Sequence, residues 1–329
     1  GGYLISAGLG EFLQWAEKWE VKAEDVAYLA ALKGATGQPL FKKEFLDYLK
    51  GQKLRVNMQA VPEGEIVFPN EPVLSVSGPN WQVDMAEAAF LNIFNAQSLI
   101  ATKAARIVQA ACADGVQRPV LEFGLRRAQD MGCFLPTRAA YIGGCAGTAC
   151  TISDQLYGVP AGGTMAHSWV QMFDSQYEAF KTYCQIYPHN ATLLVDTYNV
   201  LKSGVPDAIR AFDEVLKPLG IRKCGIRLDS GDMAYLTQEA RRKLDAAGWT
   251  ECQISASNSL DEYIIQDLLL QGAKIDVFGV GERMITARSE PVFGGVYKLA
   301  AVEDGDGKII PKIKVSENLD KITIPHFKK

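Results

Sequence analysis

The feature that most constrains this chain is a rhythm in its second half. Short apolar runs, each closing on polar residues or glycine, are followed by stretches of helical sequence: PVLEFGLRRA, ATLLVDTYNV, CGIRLDSGD, CQISASNS and KIDVFGVGE. The last three recur at roughly 25–30 residues, the length of one βα unit. Strands that are apolar on every position suit a parallel sheet buried on both faces. Closed into a barrel, they would gather Glu122, Arg126, Asp196, Arg227, Asp229, Asn258 and Gly281 at their C-terminal ends, where the active sites of such barrels lie.

The first hundred residues read differently. Glu11–Trp19, Val21–Leu32 and Lys42–Lys50 have the spacing of short amphipathic helices, and Gln59–Pro79 reads as strands broken by Pro and Gly. A long helical pattern over Glu87–Ala113 leads into the βα region. The tail, GGVYKLAAVEDGDGKIIPKIKVSEN, alternates around a Gly-Asp-Gly turn and is expected to form a hairpin that returns to the N-terminal β layer. The expected division is therefore 1–98 plus 291–329 around a central domain of 99–290. The sequence starts GGYLISAGLG, without Met or a basic leader, and is expected to begin inside a domain.

Charge narrows the function classes. A net charge of −4 over 329 residues offers no basic field for nucleic acid or an anionic membrane, and no apolar run is long enough for a span. The seven cysteines contain no CxxC pair and are odd in number. That composition suits reduced thiols in a cytoplasmic protein better than a disulfide framework or a zinc site.

Several stretches carry chemistry. GIRLDSGD crowds Arg227, Asp229, Ser230 and Asp232 into one strand-to-helix junction. Arg227 can clamp a carboxylate or a phosphate. Asp229 and Asp232 can bind ribose hydroxyls or Mg²⁺, or DSGD can simply cap a helix. Small residues at ISASNS and FGVGE, including Ser257, Asn258, Gly279 and Gly281, suit a phosphate at consecutive loops. EFGLRRA combines Glu122, Phe123, Arg126 and Arg127, which suits a planar anion stacked on a ring or a salt-bridged surface turn. Asp196 follows an apolar run and is expected at the strand mouth. His167 lies in GGTMAHSWV, within a stretch where Asp154 is the only formal charge between Arg138 and Asp174. A lone histidine there is more often a hydrogen-bonded core residue. The neighbouring Gly-Gly, Thr164, Ser168 and mouth carboxylates make it a candidate site residue.

Taken in order, EFGLRRAQ, GTMAHS, LLVDTY, GIRLDSGD, ISASNSLDE, FGVGE and VYKL closely resemble nicotinate phosphoribosyltransferases, with weaker similarity from GGYLISAGL to KVSEN. The resemblance implies an irregular α/β barrel with a discontinuous open-faced β-sandwich domain, formed by the two terminal segments. It implies a homodimer with shared active sites. It also implies ATP-coupled, ligase-type transfer of phosphoribosyl from phosphoribosyl pyrophosphate to nicotinate for NAD salvage. By the same resemblance His167 is the phosphate acceptor from ATP and Thr164 lies against nicotinate. Arg227 holds the nicotinate carboxylate or the ribosyl substrate, and Asp229 contacts ribose or Mg²⁺. Phe123 stacks on the ring, Arg126 faces a phosphate, and Asn258, Gly279 and Gly281 fall at the ribose 5′-phosphate.

Three departures from the family pattern add expectations. The family's N-terminal substrate segment would precede Gly1, and its C-terminal portion is short here, which places the activity of the chain by itself in question. Glu282 replaces a phosphate-contacting Thr and is expected to point away or serve Mg²⁺. Ala149 stands after Thr148 where nicotinamide-using relatives place Asp, which favours nicotinate over nicotinamide. Nicotinamide or quinolinate transferases and a non-catalytic nucleotide-binding paralogue are the alternatives.

Overall fold

The computed structural model of the chain describes residues 2–128 and 134–315. Gln129, which closes EFGLRRAQ, Cys133, and residues 316–318 of the tail stretch lie outside these. Two units are present, Gly1–Ala96 with Phe293–Lys329, and Gln97–Val292.

In the first unit the short periodic stretches are helices α1 (Leu9–Lys18), α2 (Ala23–Ala31) and α3 (Lys43–Leu49). Helix α1 starts from Gly8 at φ 102°, where an added Cβ would meet the Ile93 carbonyl oxygen at 3.0 Å, so the turn requires glycine. Strand β1 (Leu4–Ile5) pairs antiparallel with β3 (Ile66–Val67), and β2 (Asn57–Ala60) with β4 (Leu74–Ser77). The long helix α4 (Asn80–Ala111) begins directly after Pro79, seven residues before the expected Glu87. Its early part presents Phe90 and Phe94, which stack at 5.0 Å, with Phe12 edge-on to Phe90 at 5.1 Å. Leu4, Met58, Leu74 and Phe293 pack around this cluster.

The tail forms the expected hairpin, β11 (Ala301–Glu303) against β12 (Ile309–Pro311). Among the described residues these two strands pair only with each other. The return to the N-terminal segment is made by side chains instead: Phe293 lies 6.4 Å from Phe94, and the Tyr297 hydroxyl donates to the Val83 carbonyl at 3.2 Å. Aromatic burial on α4, rather than strand addition, holds this segment.

The second unit contains β5 (Val120–Glu122), α5 (Phe134–Ile142), β6 (Gly147–Thr148), α6 (Thr151–Tyr157), α7 (His167–Gln171), α8 (Gln176–Ile186) and β7 (Thr192–Leu194). It continues through α9 (Val205–Ala211), β8 (Gly225–Leu228), α10 (Met233–Ala246), β9 (Gln253–Ser257), α11 (Glu262–Leu270), β10 (Val277–Val280) and α12 (Glu282–Ile285). The strands form one sheet in the order β6-β5-β10-β9-β8-β7, with every pairing parallel. This is an α/β fold. All five apolar runs are strands; the two-residue β6 was too short to show a period.

Leu193, Leu194, Ile226, Leu228, Ile254, Phe278 and Val280 are fully buried in this sheet. Each such side chain contributes about 1.5–3 kcal/mol relative to exposure. Side chains from Ser175, Asp232 and Asp261 cap α8, α10 and α11, each cap worth about 1 kcal/mol. Because all six strands run the same way, their C-terminal ends, and the loops that follow, share one edge. Among the described residues no helix is long and apolar enough to cross a membrane.

Candidate functional site at the C-terminal edge of the parallel sheet

Strand β8 sets the site. Ile226 and Leu228 are buried, so the alternation of a strand turns Arg227 and Asp229 to the opposite face. An Arg227 Nη1 donates to the Thr164 hydroxyl, and Nη2 lies 3.5 Å from Asp229 Oδ1. The guanidinium sits 5.8 Å from the centre of the Phe123 ring. Its Nε is buried and has no partner, so the group is held on two sides and retains a donor.

The Asp229 carboxylate is shared. Oδ1 accepts from the Ser257 hydroxyl at the end of β9, while Oδ2 lies 3.8 Å from His167 Nε2. Asp196, after β7, closes the cluster. Its Oδ2 accepts from the Asp229 backbone N–H at 3.0 Å and from the Ser230 hydroxyl. Its Oδ1 is buried, has no hydrogen-bond partner, and lies 3.8 Å from His167 Nε2. The imidazole is thus fixed through Nδ1, 3.0 Å from the Thr197 hydroxyl, and aims Nε2 between two carboxylates. With its side chain 40% exposed, His167 has an open face and is not a core histidine.

Register explains why the other strands carry small residues here. Gly279 of β10 is opposite Ser257 of β9 on one side and Leu121 of β5 on the other. A Cβ at Gly279 would lie 2.5 Å from two Phe123 ring carbons, and one at Gly281 would lie 2.9 Å from the Phe123 carbonyl oxygen. The Phe123 ring therefore rests on the bare backbone of Gly279. Gly279→Ala is expected to destabilise the fold by about 1–3 kcal/mol through overpacking; an unchanged urea midpoint would show that the ring shifts freely.

Asn258 and Ser259, directly after β9, both adopt positive φ, 81° and 54°. Left-handed backbone at two successive residues that are not glycine is strained and is held by its surroundings. At Gly162 and Gly163 the opposite holds: an added Cβ meets nothing within 4 Å and neither φ is left-handed. The protein's own packing does not demand glycine there.

The structure bears on three sequence expectations and corrects the one for Glu122. Asp232, expected beside Asp229 as a second Mg²⁺ ligand, is the N-cap of α10 and accepts from the Tyr235 N–H at 3.1 Å. The helix start after β8 needs that oxygen, so the capping alternative for DSGD applies to Asp232 and not to Asp229. Glu122, expected at the strand mouth, is fully buried. It accepts from the Gly124 N–H and from the hydroxyls of Thr148 at 2.7 Å and Thr137 at 3.2 Å. Burial pushes its carboxyl above the usual range, against these three donors. It ties the ends of β5 and β6 together beneath the site. Glu282 faces Arg127 Nε at 3.5 Å and Arg288 at 4.0 Å, the salt-bridged turn anticipated as the alternative for the paired arginines. Arg126 stands exposed on the 3₁₀ turn Leu125–Arg127.

Thr197, the Ser230–Asp196 bond and the Ser257–Asp229 bond were not singled out from the sequence. Each is a hydroxyl beside a candidate carboxylate or histidine. The signal was present in DTY and DSGD, but a hydroxyl's partner depends on the neighbouring strand.

A parallel α/β sheet that gathers an arginine, two carboxylates, a histidine and an aromatic ring at its C-terminal edge defines the class: an α/β protein with a polar cluster at the strand mouths. The sequence model for the nicotinate phosphoribosyltransferase (NAPRTase) N-terminal domain matches residues 1–95. Nicotinate phosphoribosyltransferase of Bacillus subtilis is 43% identical over 331 residues, covering 100% of this chain and 64% of the relative. The human enzyme of that name is 31% identical, with 100% of this chain and 69% of the human protein covered. A crystal structure of human nicotinic acid phosphoribosyltransferase superposes with a TM-score of 0.75 at 30% identity, over 85% of this chain and 66% of that one. The chain belongs to the nicotinate phosphoribosyltransferase family. It spans less than two thirds of the length of the Bacillus subtilis relative.

Proposed function

We propose that this chain carries out nicotinate phosphoribosyltransfer: the pyridine nitrogen of nicotinate attacks C1 of phosphoribosyl pyrophosphate, the C1–oxygen bond breaks, and pyrophosphate departs with the bonding pair. The reading extends to ATP coupling through His167, to NAD salvage in the cytoplasm, and to a homodimer with shared active sites. It also takes the six-stranded sheet as the wall of an irregular barrel and the small antiparallel sheets as an open-faced sandwich. The observation that carries the proposal is the continuous chain Thr164–Arg227–Asp229–Ser257, with His167 closing on the Asp229 carboxylate and Asp196 on the Asp229 backbone N–H.

Each group has work suited to its chemistry. Arg227 is held by Thr164 and Asp229 with Nε unpartnered, a planar cation ready for the nicotinate carboxylate. Phe123, resting on Gly279, offers a ring face for the pyridine. Asp196 and Asp229 provide the negative charge that tolerates oxocarbenium character at C1. The loops after β9 and β10, with Asn258 and Gly281, take the ribose 5′-phosphate, and exposed Arg126 takes a phosphate.

The unpartnered Asp196 Oδ1 and the neighbouring Asp229 carboxylate fit Mg²⁺, which prefers one or two carboxylates with substrate oxygens completing its shell. When bound there, Mg²⁺ would supply positive charge to the departing pyrophosphate.

The deciding experiment supplies labelled nicotinate, nicotinamide or quinolinate with phosphoribosyl pyrophosphate, Mg²⁺ and ATP, and identifies the mononucleotide. Nicotinate mononucleotide is the expected product. Exclusive product from nicotinamide or quinolinate would replace nicotinate as the substrate. No product from any base, with a chain extended to the relatives' full length, would overturn the enzyme reading in favour of a non-catalytic binding protein.

A further inference from the structure

The two loops assigned to the 5′-phosphate come from different βα units, and something must set their spacing. The loop after β9 runs from Ser257, bonded to Asp229, through the left-handed pair Asn258–Ser259 to buried Leu260, Asp261 and Glu262. Asp261 makes two bonds with its two oxygens. Oδ1 accepts from the Ile264 N–H at 2.9 Å and caps α11, while Oδ2 pairs with Arg283 Nη1 at 2.5 Å. Arg283 is the second residue of α12, two residues beyond Gly281. The side chains of Asp261 and Arg283 are only 14% and 23% exposed. Next in sequence, buried Glu262 pairs with buried Lys103 of α4 at 2.6 Å, and Lys103 also donates to Ser289 at 2.8 Å.

We propose that Arg283 and Asp261 are positioning residues that fix the Asn258 loop against the Gly281 loop, and so set the pocket for the phosphate of a ribose 5-phosphate group. The inference rests on the functional reading above for what occupies the pocket. Two features argue against a purely structural pair. An isolated cap for α11 needs one oxygen of Asp261, yet the second is spent on a residue from the next βα unit. The strained pair Asn258–Ser259 lies between two fixed points, the Ser257–Asp229 bond and the Asp261–Arg283 bond, and strain of this kind persists only where the surroundings over-determine the backbone. A shift of one loop relative to the other is felt as lost alignment of substrate.

The test separates the ion pair from the cap. Asp261→Asn retains an oxygen to cap α11 and removes the charge facing Arg283; Arg283→Met removes the charge from the other side; Arg283→Lys retains it. Equilibrium binding of ribose 5-phosphate is measured for each, with KM for phosphoribosyl pyrophosphate and for nicotinate. Asp261→Asn and Arg283→Met are expected to weaken ribose 5-phosphate binding and raise KM for phosphoribosyl pyrophosphate about tenfold, with nicotinate KM and kcat within about twofold and partial rescue by Arg283→Lys. Unchanged binding in both variants, or equal losses for both substrates together with a fall in Tm, would overturn the proposal. Ribose 5-phosphate binding reads the positioning without turnover. A parent chain that binds it but forms no mononucleotide would refute the transferase reading alone, whereas one that fails to bind it would refute the phosphate pocket.

Discussion

Arg227→Met is expected to lower kcat/KM for nicotinate about 10³-fold, equivalent to about 4 kcal/mol, with the fold retained. Two effects add. The substrate carboxylate loses a bidentate cation, and the partners of the guanidinium lose theirs. Thr164 is left without the donor it accepts from, and Asp229 keeps Ser257 but loses the positive charge 3.5 Å away. Met has a similar length and conserves packing near Phe123, so thermal stability should fall far less than activity. Arg227→Lys should recover little, because an ammonium cannot serve Thr164, Asp229 and a carboxylate with the geometry of a fork. Steady-state kinetics on nicotinate, with Tm measured alongside, decides the matter. A loss below about tenfold for Arg227→Met would remove Arg227 from the nicotinate site.

His167→Ala is expected to abolish labelling by the γ-phosphate of ATP and to leave slow, ATP-independent synthesis of the mononucleotide. In the proposed labelling step the imidazole nitrogen would form a bond to the γ-phosphorus as the bond to ADP breaks, and water would later release phosphate. Thr197 occupies Nδ1 at 3.0 Å, and Nε2 faces the open site. Two carboxylates 3.8 Å from Nε2 repel phosphoryl oxygens, so labelling of the parent should also require a divalent cation, and chelation should suppress it. A phosphohistidine adds charge and strong acceptors beside Asp229 and Arg227, which is how it can bias substrate affinity and product release. The substitution removes one part-buried hydrogen bond, worth about 1 kcal/mol, so folding should survive. Persistent labelling of the mutant would show that another residue accepts the phosphate.

Much of the fold was legible because the pattern that signals a buried parallel strand is local. PVLEF, ATLLVD, CGIRLD, CQISAS and KIDVFGV are short stretches rich in apolar residues and followed by polar residues or glycine, the composition that suits a strand buried on both faces. Helix α4 was legible from its period, although Asn80 to Ala86 were missed because Trp81, Gln82 and Asp84 blur the apolar stripe. Strand β6 was missed because two residues carry no period, and its place beside β5 is held by non-local bonds, including Ala146 N–H to the Val120 carbonyl at 2.8 Å.

Among the site residues, Arg227, Asp229, Asp196, Thr164, Phe123, Ser257 and His167 could be nominated from types and spacing, with the family resemblance supplying their roles. Their connections could not. Asp229 and Asp232 are equally good carboxylates in DSGD, and only the start of α10 consumes one of them. Glu122 reads as a mouth residue from its place at a strand end, yet Thr137 and Thr148 arrive from α5 and β6 to enclose it. Glu282 next to a phosphate loop reads as a repulsion until Arg127 and Arg288 come within ion-pair distance.

The sequence by itself determined that this chain builds a parallel α/β sheet, which strand ends carry its polar residues, and which family it resembles. Those properties depend on side-chain types at near-neighbour spacing. Tertiary structure alone decided which of those polar groups meet. Arg227 to Thr164 spans 63 residues, His167 to Thr197 spans 30, and Asp261 to Arg283 spans 22. Bonds of that reach depend on strand order and register, and in a parallel sheet these are set by the packing of whole βα units rather than by any local stretch.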